Sequence, residues 1–279
     1  MTTVTLLHPG AMGAAVAAQA VAAGHEVLWV PEGRSEVTHR RAKEAGATAC
    51  DSLGEALERS EIVLSICPPQ AAEDVAAVVA SHAFVGVYVD ANAISPKRMQ
   101  RIAEVIRPGA TVLDGAIFGP PPSGQRVARL YLAGDGEAAD RAEPVFKDTA
   151  LHVRRASGSV GSASALKMAF ASYQKAARTL AGVAHALAEA HGVGDELTAE
   201  AQVMASNILS DPGYLPSVAA RAWRWAPEMQ DIAETLRAAD LPSDMAEAAV
   251  AVMSRWEGDK DRYDLKLADV LTHLQTRGY

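Results

Sequence analysis

The sequence is poor in aromatic rings, in cysteine and in positive charge, and each shortage narrows what the protein does. Aromatics are 5% of its 279 residues, so with alanine abundant the helices are expected to pack closely on small side chains. The two cysteines, Cys50 and Cys67, lie in strand-like stretches and read as buried thiols of a reducing compartment, not as a disulfide framework. No metal is expected. A formal net charge of −8 excludes a general nucleic-acid binder, which must neutralise phosphates with a basic surface. It leaves room for an anionic small molecule, since one local arginine or lysine suffices to hold it. No apolar run approaches the roughly 18–20 residues that a membrane span needs. The first residues lack the basic start and long apolar core of a secretory signal. The expectation is a soluble cytoplasmic protein with a small-molecule substrate as its partner, and with no nucleic acid and no membrane involved.

What is present is a change of pattern along the chain. Short β-rich runs at 4–7, 26–30, 61–67, 86–92 and 111–119 alternate with helical stretches at 14–24, 35–47, 69–82 and 95–106. Alternation of this kind predicts parallel crossovers and a doubly wound sheet, which runs at 129–134 and 150–155 complete. Beyond residues 157–164 (SGSVGSAS) almost everything reads as helix. Leu166, Phe170, Tyr173, Ala177, Leu180, Ala184 and Leu187 recur at spacings of four and three, which is one face of a long helix. The fold class is therefore α/β, an N-terminal Rossmann domain over 1–157 followed by an all-α substrate or dimerisation domain over 158–279.

The first strand runs into His8-Pro9-Gly10-Ala11-Met12-Gly13. A dinucleotide turn reads Gly-x-Gly-x-x-Gly between strand and helix. Gly10 takes the place that lets backbone approach a diphosphate, and Gly13 the place that lets helix pack on strand. The helix start adds free N–H groups and a positive dipole end. His8 replaces the first glycine, and His8-Pro9 is expected to make a different turn with the site preserved. After the second strand, Glu32 suits a ribose 2′-hydroxyl and hence NAD. Arg34 and Ser35 suit a 2′-phosphate. The pair favours NADP, with NAD possible. Arg40 and Arg41 read as a solvated helix face, and Arg224 with Glu228, four apart, as a surface pair.

The stretch HPGAMGAAVAAQAVAAGHEV (8–27) resembles the opening of the β-hydroxyacid dehydrogenases and their relatives, the 6-phosphogluconate dehydrogenases and imine reductases. Met12-Gly13 and Gly24-His25 carry the likeness. DANAISP (90–96), VLDGAIFGP (112–120) and GSVGSASALK (158–167) are similar to later motifs of the family, and residues 221–242 resemble a phosphogluconate-dehydrogenase-like branch. The resemblance implies that Pro9, Gly10, Ala11, Met12, Gly13, Cys67, Pro68 and Asn92 lie at the cofactor. It implies that Asn92, Phe118, Gly119, Ala171 and Trp223 lie at the substrate, that Lys167 is catalytic, and that the chain forms a homodimer through its helical half. Departures concern the substrate. Asn92-Ala93 replaces a Ser-Thr pair, Phe118-Gly119-Pro120 replaces Ser-Gly-Gly, and Ala171 replaces an asparagine, so a bulkier or less polar substrate than a simple 3-hydroxy acid fits better.

Hydride transfer belongs to the nicotinamide, and a lysine at the cleft supplies or removes the proton. The expected activity is an NAD(P)-dependent oxidoreductase acting on an alcohol or carbonyl compound. An imine reductase on the same scaffold and a cofactor-binding protein without turnover are the alternatives.

Overall fold

The computed structural model describes residues 1–190, 192–203, 212–238 and 241–275. It divides into two compact units, Met1–Lys167 and Met168–Tyr279.

The first unit is built on one eight-stranded sheet in the order β3-β2-β1-β4-β5-β6-β7-β8. The strands are β1 (Thr3–Leu6), β2 (Glu26–Trp29), β3 (Thr48–Ala49), β4 (Ile62–Ser65), β5 (Val87–Asp90), β6 (Thr111–Phe118), β7 (Ala128–Gly134) and β8 (Leu151–Arg155). Pairing is parallel from β3 to β6, antiparallel between β6 and β7, and parallel again between β7 and β8. Strands β4 and β5 are buried at every residue, as strands covered on both faces must be. Helices α1 (Ala11–Ala22) and α6 (Gly136–Ala142) belong to one face, where Val4, Leu6, Val16, Ala17 and Leu130 form a core. Helices α3 (Leu53–Arg59), α4 (Ala72–Ser81) and α5 (Pro96–Ile106) belong to the other, around Val63, Tyr88, Met99 and Ile102. Helix α2 (Glu36–Glu44) links β2 to β3. The expected doubly wound sheet is the observed one. The order reverses at β1 and β4, and the carboxyl ends flanking such a reversal are where open α/β sheets bind ligands.

The second unit is helical, as expected. Helix α7 (Ser162–Ala190) enters it from the first unit and is followed by α8 (Gly194–Gln202), α9 (Leu215–Ala238), α10 (Asp244–Met253) and α11 (Leu267–Leu274). Its core gathers Met168, Ala171, Val218, Ala222, Met229 and Trp256, and the Trp256 indole N–H is satisfied by the Val270 carbonyl at 2.9 Å. The apolar stripe read along α7 is not its buried face. Leu166, Phe170, Tyr173 and Leu180 are 40, 43, 68 and 53% exposed, while Met168, Ala171, Lys175 and Thr179 are buried. Ala184 and Leu187 have side chains outside the described ones. The buried set is also spaced three and four apart, and Met168 and Ala171 share the helical core with Val218, Ala219 and Ala222 of α9.

Candidate functional site

The turn between β1 and α1 is tight. The Gly10 N–H donates to the His8 carbonyl at 2.8 Å, and the Ala14 N–H to the Gly10 carbonyl at 2.9 Å. Gly10 is the N-cap of α1, with no side-chain cap and no acidic residue in the first turn. Helices α2, α3, α5 and α6 are instead closed by Ser35, Ser52, Ser95 and Asp135. The first N–H groups of α1 are thus left without a side-chain acceptor, which suits an anion. A Cβ on Gly13 would lie 2.3 Å from the His8 carbonyl oxygen, so only glycine lets α1 lie this close to the turn. A Cβ on Gly10 would meet only the His8 ring, at 3.3 Å. Pro9 is buried, Ala11 is exposed, and Met12 is half-buried against the core. A backbone cradle of this kind fits a dinucleotide diphosphate.

Beside it, after β2, lies the group expected to read the ribose. Arg34 reaches back to the turn, its Nη1 donating to His8 Nδ1 at 3.0 Å and its Nη2 to the Leu7 carbonyl at 3.2 Å. Ser35 caps α2, its Oγ accepting from the Thr38 N–H at 3.3 Å. A hollow of about 260 Å³ opens here, lined by Leu7, Val30, Val75 and Val79 with Glu32 and Asp74 at its polar margin. Its apolar walls and size suit a flat heteroaromatic base. The hollow was not foreseen, because its walls come from segments far apart in sequence. Arg40 lies in an exposed pair with Glu44, a solvated face as expected.

The ends of β4 and β5 are tied by a buried polar cluster. Asn92 Oδ1 accepts from the Cys67 N–H at 2.7 Å, and its Nδ2 donates to Ser65 Oγ at 3.0 Å and Asp90 Oδ2 at 3.1 Å. The Asn92 amide, buried at 3% exposure, is therefore committed to bracing the loop that carries Cys67 and exposed Pro68. Burial, reinforced by the neighbouring Asp114 carboxylate and opposed by the Asn92 hydrogen bonds, pushes the Asp90 carboxyl up to about 7. Burial and the Asp90 charge push the Cys67 thiol up to about 11, so it is a neutral wall group and not a nucleophile.

On β6, Asp114 is fully buried. Its carboxylate accepts from the Gly161 and Ser164 N–H groups, both at 2.9 Å, and from Ser164 Oγ at 2.7 Å. These bonds cap α7 and fasten its first turns to the sheet. Burial raises the Asp114 carboxyl, against the pull of these bonds. Further along β6 the Lys167 Nζ donates to the Ile117 carbonyl at 2.8 Å and lies 5.0 Å from the Phe118 ring centre. Phe118 is buried edge-on against Tyr131 at 5.2 Å. Gly119 turns the strand end with φ of +114°, where a Cβ would come within 3.0 Å of the Val127 carbonyl oxygen. The ammonium thus lies at the carboxyl end of β6, the sheet edge on which the β1–α1 turn also opens. Asp90 and Asp114, register partners on β5 and β6, were visible as carboxylates inside strand-like runs, but were not picked out as site residues.

In the second unit Ala171 is packed in the helical core. Trp223 is partly exposed, its indole N–H donating to Asp261 Oδ1 at 3.3 Å and its face covered by Lys260 Nζ at 4.1 Å. Glu228 does not form the expected surface pair with Arg224. It turns inward to Lys175 in a buried ion pair, because burial disfavours the Lys175 charge and only an adjacent carboxylate offsets that cost.

Fold and turn together define a dinucleotide-binding Rossmann domain followed by a helical region. Residues 3–158 match the family model for the NAD binding domain of 6-phosphogluconate dehydrogenase, and the chain belongs to that family. Residues 188–256 match a domain of unknown function, DUF1932. An uncharacterised 28.5 kDa protein of Methanothermus fervidus is 30% identical over 173 residues, 62% of this chain and 65% of that protein. The matched stretch thus spans less than two thirds of that relative. A 3-hydroxyisobutyrate dehydrogenase of Mycobacterium tuberculosis superposes with a TM-score of 0.79 at 20% identity, over 99% of this chain and 100% of that one. An imine reductase from Pseudomonas superposes with a TM-score of 0.60 at 18% identity, over 98% and 99%. At these identities the likeness is one of fold. Among the described residues no helix is long and apolar enough to cross a membrane, and no cluster of three metal-ligating side chains is found.

Proposed function

We propose that the protein is an NADP-dependent oxidoreductase that interconverts a small carbonyl compound and its alcohol, with Lys167 giving and taking the proton. The observation that carries this reading is the Lys167 ammonium at the carboxyl end of β6, on the sheet edge where the Gly10 turn opens. Bound nicotinamide supplies the hydride. The chain's own part is binding and proton handling. The α1 amides and Gly10 would hold the diphosphate, and Arg34 with Ser35 at the start of α2 would hold a 2′-phosphate. The Ile117 carbonyl and the Phe118 ring hold the Lys167 Nζ in place. In its ammonium form Lys167 would deliver a proton from Nζ to an alkoxide oxygen. Imine reduction is the second reading. The apolar character of the Phe118 loop favours it, while a charged Lys167 would repel an iminium. We further read the chain as a homodimer, because Leu166, Tyr173 and Leu180 stand exposed on one face of α7, and exposed apolar faces mark interaction surfaces.

Thermal-shift titrations with NADP, NAD and their reduced forms test the cofactor. Ketone and cyclic-imine panels on wild type and Lys167→Ala test the chemistry. The variant should bind nucleotide as wild type does and reduce ketones about a thousandfold more slowly, the scale of general acid catalysis. Equal ketone rates would remove Lys167 from the mechanism.

A further inference from the structure

The residue that breaks the glycine pattern has a defined chemical state. The guanidinium of Arg34 can only donate, so its 3.0 Å contact makes His8 Nδ1 an acceptor. The imidazole is then neutral, with its one proton on Nε2. Burial, and then the Arg34 charge, lower the His8 pKa and so favour that state. Glu32 and Asp74 line the neighbouring hollow with Arg34, but Arg34 is the charge that acts on the ring. The ring lies along Gly10, its Nε2 corner 3.6 Å from where a Cβ would stand. With the Leu7 carbonyl it grips both terminal nitrogens of Arg34, an otherwise exposed side chain. A glycine at this position could do none of this.

We propose that His8 is a positioning residue that sets cofactor choice: it holds the Arg34 fork beside the turn so that a 2′-phosphorylated dinucleotide is preferred over one with a free 2′-hydroxyl. This rests on the cofactor reading above. A guanidinium fixed at two points loses little freedom when a phosphate arrives, whereas a free arginine must be ordered at that moment.

The test is binding, independent of turnover. Dissociation constants for NADPH, NADH, 2′,5′-ADP and 5′-ADP are measured by calorimetry on wild type, His8→Gly and His8→Gln, with melting curves to establish folding. His8→Gly restores the pattern glycine. It should weaken NADPH and 2′,5′-ADP about tenfold, the worth of one charge-assisted hydrogen bond, and leave NADH and 5′-ADP unchanged. His8→Gln, whose amide oxygen can accept from Arg34, should recover part of the preference. Equal weakening of all four ligands, or a tighter NADPH complex in His8→Gly, would overturn the assignment. Failure of folded wild type to bind either dinucleotide would instead refute the cofactor reading, and this inference with it.

Discussion

Alanine substitution at Gly10 and at Gly13 should have opposite consequences, because the two glycines are required for different reasons. At Gly13 the added methyl would stand 2.3 Å from the His8 carbonyl oxygen. An ordinary carbon–oxygen contact is about 1 Å longer, and the opposing atom is backbone that also closes the Gly10 turn. Overpacking of well-fitted sites costs about 1–3 kcal/mol, and a rigid backbone neighbour puts this one at the upper end. A loss near 3 kcal/mol corresponds to a melting point lowered by about 6–12 °C for a domain of this size. At Gly10 the backbone angles, φ −67° and ψ −170°, are ones alanine adopts freely. The methyl would meet only the edge of the His8 ring at 3.3 Å, a contact that a shift of tenths of an ångström relieves. The lost chain entropy of glycine offsets that strain, so stability should stay within about 0.5 kcal/mol. The same methyl would stand where a diphosphate must touch the main chain, and dinucleotide affinity should fall at least about thirtyfold, or about 2 kcal/mol. Thermal melts without ligand and fluorescence titration with NADPH read the two effects separately. If Gly10→Ala binds NADPH like wild type, the cradle is not where the diphosphate lies. If Gly13→Ala melts with wild type, the close packing of α1 on the turn is wrong.

Two further outcomes are expected. Asp90 has its folded pKa raised to about 7, so its contribution to stability is whole below the unfolded value of about 4 and is lost as pH rises through 7. Urea midpoints of wild type relative to Asp90→Asn should therefore fall from pH 4 to 7 and level off above, and parallel curves would refute the buried carboxyl. For α7, sedimentation velocity should find wild type dimeric and the double variant Tyr173→Glu, Leu180→Glu monomeric with its helicity unchanged; a monomeric wild type would end the homodimer reading.

What could be read from the sequence was local. The β-rich runs gave the parallel core because each strand is continuous and apolar, and glycine punctuation marked the turn after β1. Strand β3, with two residues, and helices α3 and α6, with seven each, escaped because so short a segment shows less than two turns of periodicity. The site divides the same way. Gly10, Gly13, Arg34 and Lys167 sit in recognisable contexts. The Asn92 brace and the Asp114 cap do not, since what they do depends on partners such as Cys67, 25 residues from Asn92, and Ser164, 50 residues from Asp114.

Helix α7 shows why hydrophobicity alone misassigns a face. Its sequence carries two stripes, one of large apolar side chains and one of Met168, Ala171, Lys175 and Thr179. Periodicity marks the first because it is the more apolar, yet the second is buried. The second stripe packs into the helical core with Val218 and Ala222 of α9, and the charge in it is tolerated because Glu228 meets Lys175. Replacing such an inward ion pair by apolar residues is often neutral or stabilising, so stability alone does not explain it. What it does fix is rotation: turning α7 to bury Tyr173 would strand the Glu228 carboxylate without its ammonium.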